Sequence, residues 1–107
     1  MDTIGFCTLQ QTPAFARWLM GLKDVRAKAA IVLRLRSVAM GNWGDARSVG
    51  PRVFELRWHM GPGYRVYFCR QGQQVIVLLA GGDKSTQKRD IARALAMAKE
   101  YEREKDH

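Results

Sequence analysis

Hydrophobic positions in the first part of the chain alternate briefly and then recur at helical spacing. Residues 3–9, "TIGFCTL", are apolar at alternate positions, which predicts a short strand. Thr12 and Pro13 then form a typical helix start, with a hydroxyl at the cap and proline in the first turn. Asp24 is suited to cap a second helix, which we expect to end at about Met40, just before glycines. The pattern therefore predicts a strand followed by a helical hairpin.

The pattern changes to that of strands in the second half of the chain. "VFELRW" (53–58) alternates apolar and polar residues, "GPG" (61–63) predicts a turn, and "YRVYFCR" (64–70) predicts the returning strand. The run 75–80 is apolar on both faces, which indicates an interior strand. A final helix is predicted from about Thr86 to Glu104. The order β-α-α-β-β-β-α predicts a single α+β domain over residues 1–107, with helices packed on one face of the sheet.

A regular hairpin closed by residues 61–63 would place Leu56 opposite Phe68 and Arg57 opposite Tyr67. One face of the hairpin would then carry polar and titratable side chains, namely Glu55, Arg57, His59, Arg65, Tyr67 and Cys69. Such a set has the chemistry to hold a phosphate with arginine and to transfer protons with His, Glu or Tyr. The alternative is a solvated sheet face with weak pairs of opposite charge.

The stretch "GGDKSTQKRD" (81–90) follows the interior strand directly. It departs from the phosphate-binding loop of nucleotide triphosphatases, because Asp83 precedes Lys84 where that motif requires glycine. We expect Ser85 or Thr86 to cap the last helix. Lys84 would then lie near the polar face of the hairpin and add to an anion site.

The net charge of +8 narrows the choice of partner. The basic excess lies mainly between Arg47 and Arg93, which suits a polyanion such as nucleic acid, although ordinary solubility charge is the alternative. Cys7 and Cys69 are isolated, so we expect reduced thiols, no metal and no cofactor. The sequence has no secretion signal and no apolar run of about 18 residues, and we therefore predict a cytoplasmic protein that does not enter membranes.

Two longer segments resemble a known family. "ELRWHMGPGYRVYF" (55–68) and "LLAGGDKSTQKRDIARA" (78–94) resemble the addiction-module killer proteins, the HigB-like branch of the RelE/ParE toxin superfamily. "FARWLMGLKD" (15–24) and "LRLRSVAMGNWGDARSVG" (33–50) are similar to the helical hairpin of that family. The resemblance implies a small antiparallel sheet with an N-terminal helical hairpin on one side and a C-terminal helix.

The resemblance also implies a function, namely that of a toxin of a type II toxin–antitoxin pair. RelE-like members are metal-independent endoribonucleases that cut messenger RNA on the ribosome with the RNA 2′-hydroxyl as nucleophile. By motif, Arg65 matches the phosphate-stabilising arginine, and Lys84 lies at the basic position that ends the last strand. The predicted catalytic residues are Arg65, Lys84, Arg57, His59 and Glu55, and the predicted RNA-binding residues are Arg52, Tyr67, Lys88 and Arg89.

Two other functions stay open for this fold. A ParE-like member would bind and poison DNA gyrase without catalysis, and a toxin remnant would bind RNA without activity. In each case the resemblance implies a cognate antitoxin, often a small helix-turn-helix protein, with the toxin present as one monomer in a hetero-oligomer. An acidic antitoxin segment would complement the basic face.

Overall fold

A computed structural model describes residues 7–105, with side-chain surroundings as far as Tyr101. The elements in chain order are β1 (Thr8–Gln11), α1 (Pro13–Gly21), α2 (Val25–Ala39), β2 (Ala46–Gly50), β3 (Val53–Arg57), β4 (Tyr64–Gln71), β5 (Val75–Asp83), a 3-10 turn (Lys84–Thr86) and α3 (Gln87–Lys105). The predicted strand 3–9 lies mostly outside the described residues, and β1 begins within its last part. The α+β class and the helical hairpin are confirmed.

The strands form one five-stranded mixed sheet in the order β1-β5-β4-β3-β2. β1 runs parallel to β5, and the other neighbouring pairs are antiparallel, so the expectation of a wholly antiparallel sheet was wrong. The predicted interior position of β5 is confirmed. The hydrophobic pattern does not predict β2, because "ARSVG" is a short edge strand with no buried position and no apolar alternation.

Helices cover both faces of the sheet, which corrects the expectation of helices on one face. The helical hairpin packs Phe15 and Ile31 against one face, where they contact a core that includes Phe68. On the other face α3 brings Ala94 and Ala98 against a second core. The small alanine side chains allow the helix to lie close to the strands. The strand positions that this second core covers are Val53, Tyr67, Cys69, Val77, Leu79 and Ala80.

The first two predicted helix caps are confirmed, and the third is wrong. The Thr12 hydroxyl accepts a hydrogen bond from the Phe15 N–H at 3.1 Å, and Asp24 Oδ1 accepts one from the Ala27 N–H at 3.1 Å. Before the last helix, Asp83 caps the 3-10 turn and accepts from the Ser85 N–H at 2.8 Å. Thr86 completes this capping box, because its hydroxyl accepts from the Asp83 N–H at 3.3 Å, so the cap is centred on Asp83 rather than on Ser85 or Thr86.

The β3–β4 hairpin has a different register from the predicted one. Arg57 pairs with Arg65 and Glu55 pairs with Tyr67, a shift of two residues. The cause is a longer loop, since the Trp58 N–H still donates to the Tyr64 carbonyl at 3.0 Å and the turn lies beyond them. A shift by two residues leaves every side chain on its predicted face.

Candidate functional site

An open pocket lies at the end of the sheet where β3 finishes, β4 begins and β5 finishes. Its volume is about 450 Å³. The lining residues come from β2, the β3–β4 hairpin and the start of α3, and they are Arg47, Arg57, His59, Gly61, Pro62, Gly63, Arg65, Lys84 and Gln87. Basic side chains dominate this list, so the pocket presents donors and positive charge.

Arg57 and Arg65 face each other across the hairpin and are only partly solvated. Arg65 is 6% exposed, and its Nη1 donates to the Tyr64 carbonyl at 3.4 Å. The Nε atoms of both arginines are buried, and neither makes a hydrogen bond within the described part of the chain. A buried donor without a partner costs about 1–3 kcal/mol. Both side chains also line the open pocket, where their positive charge suits an anion.

Lys84 reaches the pocket through the turn that follows β5. Its backbone N–H donates to the Pro62 carbonyl at 3.4 Å, which ties the end of β5 to the β3–β4 loop. A Cβ atom built at Gly63 would lie 3.4 Å from Lys84 Cβ and 3.6 Å from Arg65 Nη1. The Lys84 side chain therefore begins close to Gly63, which the Arg65 guanidinium also approaches, and both residues line the pocket.

The two glycines before Lys84 allow close packing on both faces of β5. A Cβ at Gly81 would overlap the Trp18 ring of α1. A Cβ at Gly82 would overlap the Asp90 carboxylate and Thr86 hydroxyl of α3. The glycine pair thus lets α1 and the start of α3 approach the strand that carries Lys84, a packing role rather than a phosphate-cradling one.

His59 lies at the rim of the pocket and is exposed. Its Nε2 lies 4.0 Å from Asp45 Oδ2, and the same oxygen lies 3.9 Å from Arg57 Nη2. Arg34 fixes this arrangement from α2, because it donates to the Arg57 carbonyl at 2.6 Å and to the Asp45 carbonyl at 2.8 Å. The burial of Arg34 lowers its pKa. An acidic group therefore accompanies the imidazole.

Glu55 is not in the pocket, which corrects its predicted position on an accessible catalytic face. The side chain is fully buried under α3. Its Oε1 accepts from Arg47 Nε at 3.1 Å, and its Oε2 accepts from Gln87 Nε2 at 2.8 Å. Sequence reasoning missed both of these pocket residues. Arg47 lies in the unpredicted strand β2, and Gln87 carries no signal beyond its place in "STQKRD".

Tyr67 also lies in the buried layer, so it is not placed to contact RNA as predicted. It is fully buried in the second core, and its hydroxyl makes no hydrogen bond of good geometry among the described residues. Burial raises the pKa of Tyr67, and the neighbouring Glu55 carboxylate raises it further. Tyr67 is therefore a neutral phenol behind the pocket wall.

The remaining predicted RNA-binding residues lie outside the pocket. Arg52 is in the β2–β3 connection at the opposite end of β3, beside Leu95 of α3, so it does not join the others. Lys88 and Arg89 line a separate open groove of about 570 Å³ beside the first turn of α3. Arg89 Nε lies 3.6 Å from Asp90 Oδ1. These two cations are adjacent to the pocket in sequence but face a different surface.

The described residues form neither a metal site nor a membrane-spanning helix. No three His, Cys, Asp or Glu side chains converge within residues 7–105 in a way that would hold a metal ion. None of the helices in that range is long and apolar enough to cross a membrane.

Comparison with known proteins defines the class. A solved structure of a mutant of the E. coli toxin RelE in the free state superimposes with a TM-score of 0.69 at 11% sequence identity. The superposition covers 86% of this chain and 97% of that chain. The fold is therefore that of the RelE toxins.

The sequence comparisons identify the family. Residues 17–101 match the phage-derived Gp49-like protein family. An uncharacterized protein of Haemophilus influenzae is 47% identical over 92 residues, which is 86% of this chain and 93% of that protein. The chain belongs to the Gp49-like family, a RelE/ParE-like family of toxins from toxin–antitoxin pairs. The resemblance to the superfamily is thereby confirmed, and the HigB-like branch stays a prediction.

Proposed function

We propose that the protein is the toxin of a type II toxin–antitoxin pair, of the HigB-like kind, and cuts messenger RNA on the ribosome as a metal-independent endoribonuclease. The observation that carries this proposal is the convergence of Arg57, Arg65 and Lys84 in one open pocket, with His59 at its rim. The lining residues come from β2, β3, β4, the 3-10 turn and α3, so residues distant in sequence form one cationic site.

The proposed reaction uses the substrate's own nucleophile. The 2′-hydroxyl attacks the adjacent phosphorus, the O2′–P bond forms, and the P–O5′ bond breaks. A base accepts the 2′-hydroxyl proton, and an acid donates a proton to the leaving 5′-oxygen. The protein must therefore stabilise the extra negative charge on the phosphorane and provide proton transfer.

Arg65 is the principal phosphate clamp in this mechanism. Because the side chain is almost fully buried, its guanidinium is held in place before substrate arrives, and little reorganisation is needed during the reaction. Arg57 and Lys84 contribute further positive charge from the neighbouring walls. The guanidinium groups of both arginines line the pocket, and their charge favours an anionic ligand over an apolar group.

His59 is the candidate group for proton transfer. Among the pocket residues it carries an imidazole, a ring with one nitrogen that can hold a proton and one that can accept a proton. Glu55 has a supporting role in this proposal, because its carboxylate is buried and both oxygens are engaged. Lys88 and Arg89 bind RNA backbone through screened phosphate contacts from their own groove.

The experiment that tests the proposal is induction of the protein without an antitoxin, followed by primer extension on abundant messages. Discrete cuts in the wild type that vanish in Arg65→Ala support the ribonuclease. Intact RNA with gyrase-dependent DNA damage would instead identify a gyrase poison. Normal growth with folded wild-type protein would identify an inactive binding module.

We further propose a cognate antitoxin that covers the basic pocket with an acidic segment. The support is the family assignment together with the excess of cations among the pocket residues. Co-expression of the adjacent reading frame should restore growth and yield a stable complex. Failure of the two proteins to copurify would contradict this choice of partner.

A further inference from the structure

Behind the pocket, one buried carboxylate holds two side chains of the pocket wall. Glu55 of β3 accepts from Arg47 of β2 through Oε1 and from Gln87 of α3 through Oε2. The Glu55 side chain is 0% exposed, while that of Arg47 is 53% exposed. A buried carboxylate is tolerated only where donors satisfy it. Because the buried Glu55 carboxylate needs the hydrogen bond from Gln87, that hydrogen bond holds the Gln87 side chain in one orientation.

This contact fixes which end of the Gln87 amide faces Glu55. An ionised carboxylate accepts hydrogen bonds and donates none, so the amide nitrogen of Gln87 must be the group that meets Glu55. The carbonyl oxygen is bonded to the same carbon and points away from the nitrogen. Within residues 7–105 this oxygen accepts no hydrogen bond, although Gln87 lines the pocket. An oriented acceptor is thus available there.

An acceptor is unusual among the side chains of this pocket. Arg47, Arg57, Arg65 and Lys84 only donate hydrogen bonds. Their positive charges suit phosphate, whereas a carbonyl oxygen repels phosphate oxygens. The N–H groups on a nucleobase edge are the part of an RNA substrate that needs an acceptor. The pocket lining therefore contains cationic donors that suit the RNA backbone phosphate and a carbonyl acceptor that suits an N–H of a nucleobase.

We propose that Gln87 is a specificity-determining residue that reads a nucleobase beside the scissile phosphate, with Glu55 as its positioning residue. The Gln87 oxygen accepts an N–H of the base edge, and the guanidinium of Arg47 donates to a neighbouring ring nitrogen or carbonyl of the same edge. Both side chains are held by one carboxylate, so their spacing is constant. The inference rests on the proposed ribonuclease activity and adds the group that selects where the RNA is cut.

The first test compares cut sites. Wild type, Gln87→Leu and Gln87→Met are induced, and cleavage positions are mapped by primer extension across several messages. Leucine and methionine keep the bulk of glutamine and remove the acceptor. We expect both variants to cut RNA and to lose about 3- to 10-fold of the preference for the favoured base, the loss typical of one neutral hydrogen bond. Gln73→Leu is the matched control, because Gln73 is exposed in the β4–β5 turn at the opposite end of the sheet.

The second test leaves the protein unchanged and does not depend on the folding of a variant. Ribosomes are programmed with short synthetic messages in which the favoured base lacks its exocyclic amino group, such as inosine for guanosine or purine riboside for adenosine. Wild type should cut the analogue at the position that pairs with Gln87 about 3- to 10-fold more slowly than the parent message. Gln87→Leu should cut both messages at equal rates.

The outcomes separate this inference from the proposed function. A wild type that cuts RNA with the same site preference as Gln87→Leu and Gln87→Met, and that is indifferent to every base analogue, overturns the role of Gln87 alone. A wild type that cuts no RNA overturns the ribonuclease and this inference with it. Relaxed cutting in the variants, with the Gln73→Leu pattern unchanged, supports both.

Discussion

Arginines occur at both ends of the sheet, but the protein uses them differently. Near the β4–β5 turn, Arg70 donates to the Gln73 carbonyl at 3.2 Å and lies 5.8 Å above the Trp43 ring. At the other end, Arg57 and Arg65 keep buried Nε atoms that no described residue satisfies. A backbone carbonyl and an aromatic ring engage Arg70 at the first end, whereas Arg57 and Arg65 line an open pocket at the second. Residue type alone therefore does not identify a site, and convergence of several such side chains on one pocket does.

The largest expected effect on RNA cleavage comes from replacing one arginine with alanine at each end of the sheet and comparing the two variants. Arg65→Ala should reduce the rate of RNA cleavage by about 10²–10³, because a preorganised contact to the phosphorane is lost. Arg70→Ala should leave cleavage within about twofold of wild type, since that side chain stabilises a turn far from the pocket. Growth inhibition and primer extension after induction measure both.

Thermal melting of the purified variants provides the control for folding, because Arg65 is almost fully buried. A folded Arg65→Ala that still cut RNA at the wild-type rate would show that Arg65 is not the phosphate clamp. Equal losses in both variants would show that the two ends do not differ in the way proposed.

The next largest effect is on the free energy of unfolding, when one glycine at each end of the sheet is replaced with alanine. Gly82→Ala should lower the free energy of unfolding by about 3 kcal/mol, because the new Cβ overlaps the buried Asp90 carboxylate and Thr86 hydroxyl. Gly72→Ala should cost only about 1 kcal/mol. That position has open space, and its φ of +69° is the sole source of strain. Urea denaturation measures both values, and equal costs would argue that backbone conformation, rather than packing, requires Gly82.

The sequence was sufficient for features that depend on local pattern. The caps Thr12 and Asp24, the periodic helices and the alternation in β3 are each encoded within a few residues, and all are present. The placement of Arg57, Arg65 and Lys84 in one pocket also follows from two strands and one loop. The predicted register of the hairpin was wrong by two residues, but each side chain was still assigned to the correct face, because side chains alternate with period two.

Features that depend on distant packing were beyond the sequence. The polar face of the hairpin looks solvated in the pattern, yet α3 covers it and buries Glu55 and Tyr67. The alternating pattern of β3 shows that one face of the strand is apolar. It does not show that α3, which presents small alanine side chains, packs over the opposite, polar face. Arg47 was missed for a related reason, because an exposed edge strand carries no hydrophobic signal.

A smaller effect is expected at the cap that holds Lys84 at the pocket end. Asp83→Ala should cost about 1 kcal/mol at neutral pH, because Asp83 loses the hydrogen bonds from the Ser85 hydroxyl and the Ser85 N–H. Asp83→Asn keeps an acceptor and is the matched control, with most of the stability retained. Denaturation of the three proteins in urea at pH 7 provides the comparison.

The effect of Asp83 should also depend on pH. The hydrogen bond from the Ser85 side chain lowers the pKa of Asp83, and its backbone hydrogen bonds add to this. A lowered folded-state pKa gives stability that is present above the ordinary carboxyl pKa of about 3.9 and lost as pH falls through the folded value. The difference between wild type and Asp83→Ala should therefore shrink below about pH 4. A constant difference down to acid pH would contradict a role for the ionised carboxylate.

The smallest effect at neutral pH is expected for the buried phenol that lies between the two ends. Burial raises the pKa of Tyr67, with Glu55 adding to the shift, so the folded state holds the neutral form when an unfolded tyrosine has begun to ionise. The associated stability is complete below about pH 10 and is lost as pH rises toward the folded value. Tyr67→Phe should match wild type within about 1 kcal/mol at pH 7 and should lose less stability than wild type between pH 9 and 11. Urea midpoints across that range measure the effect, and parallel alkaline losses in both proteins would show that the Tyr67 hydroxyl is not held neutral by the layer behind the pocket.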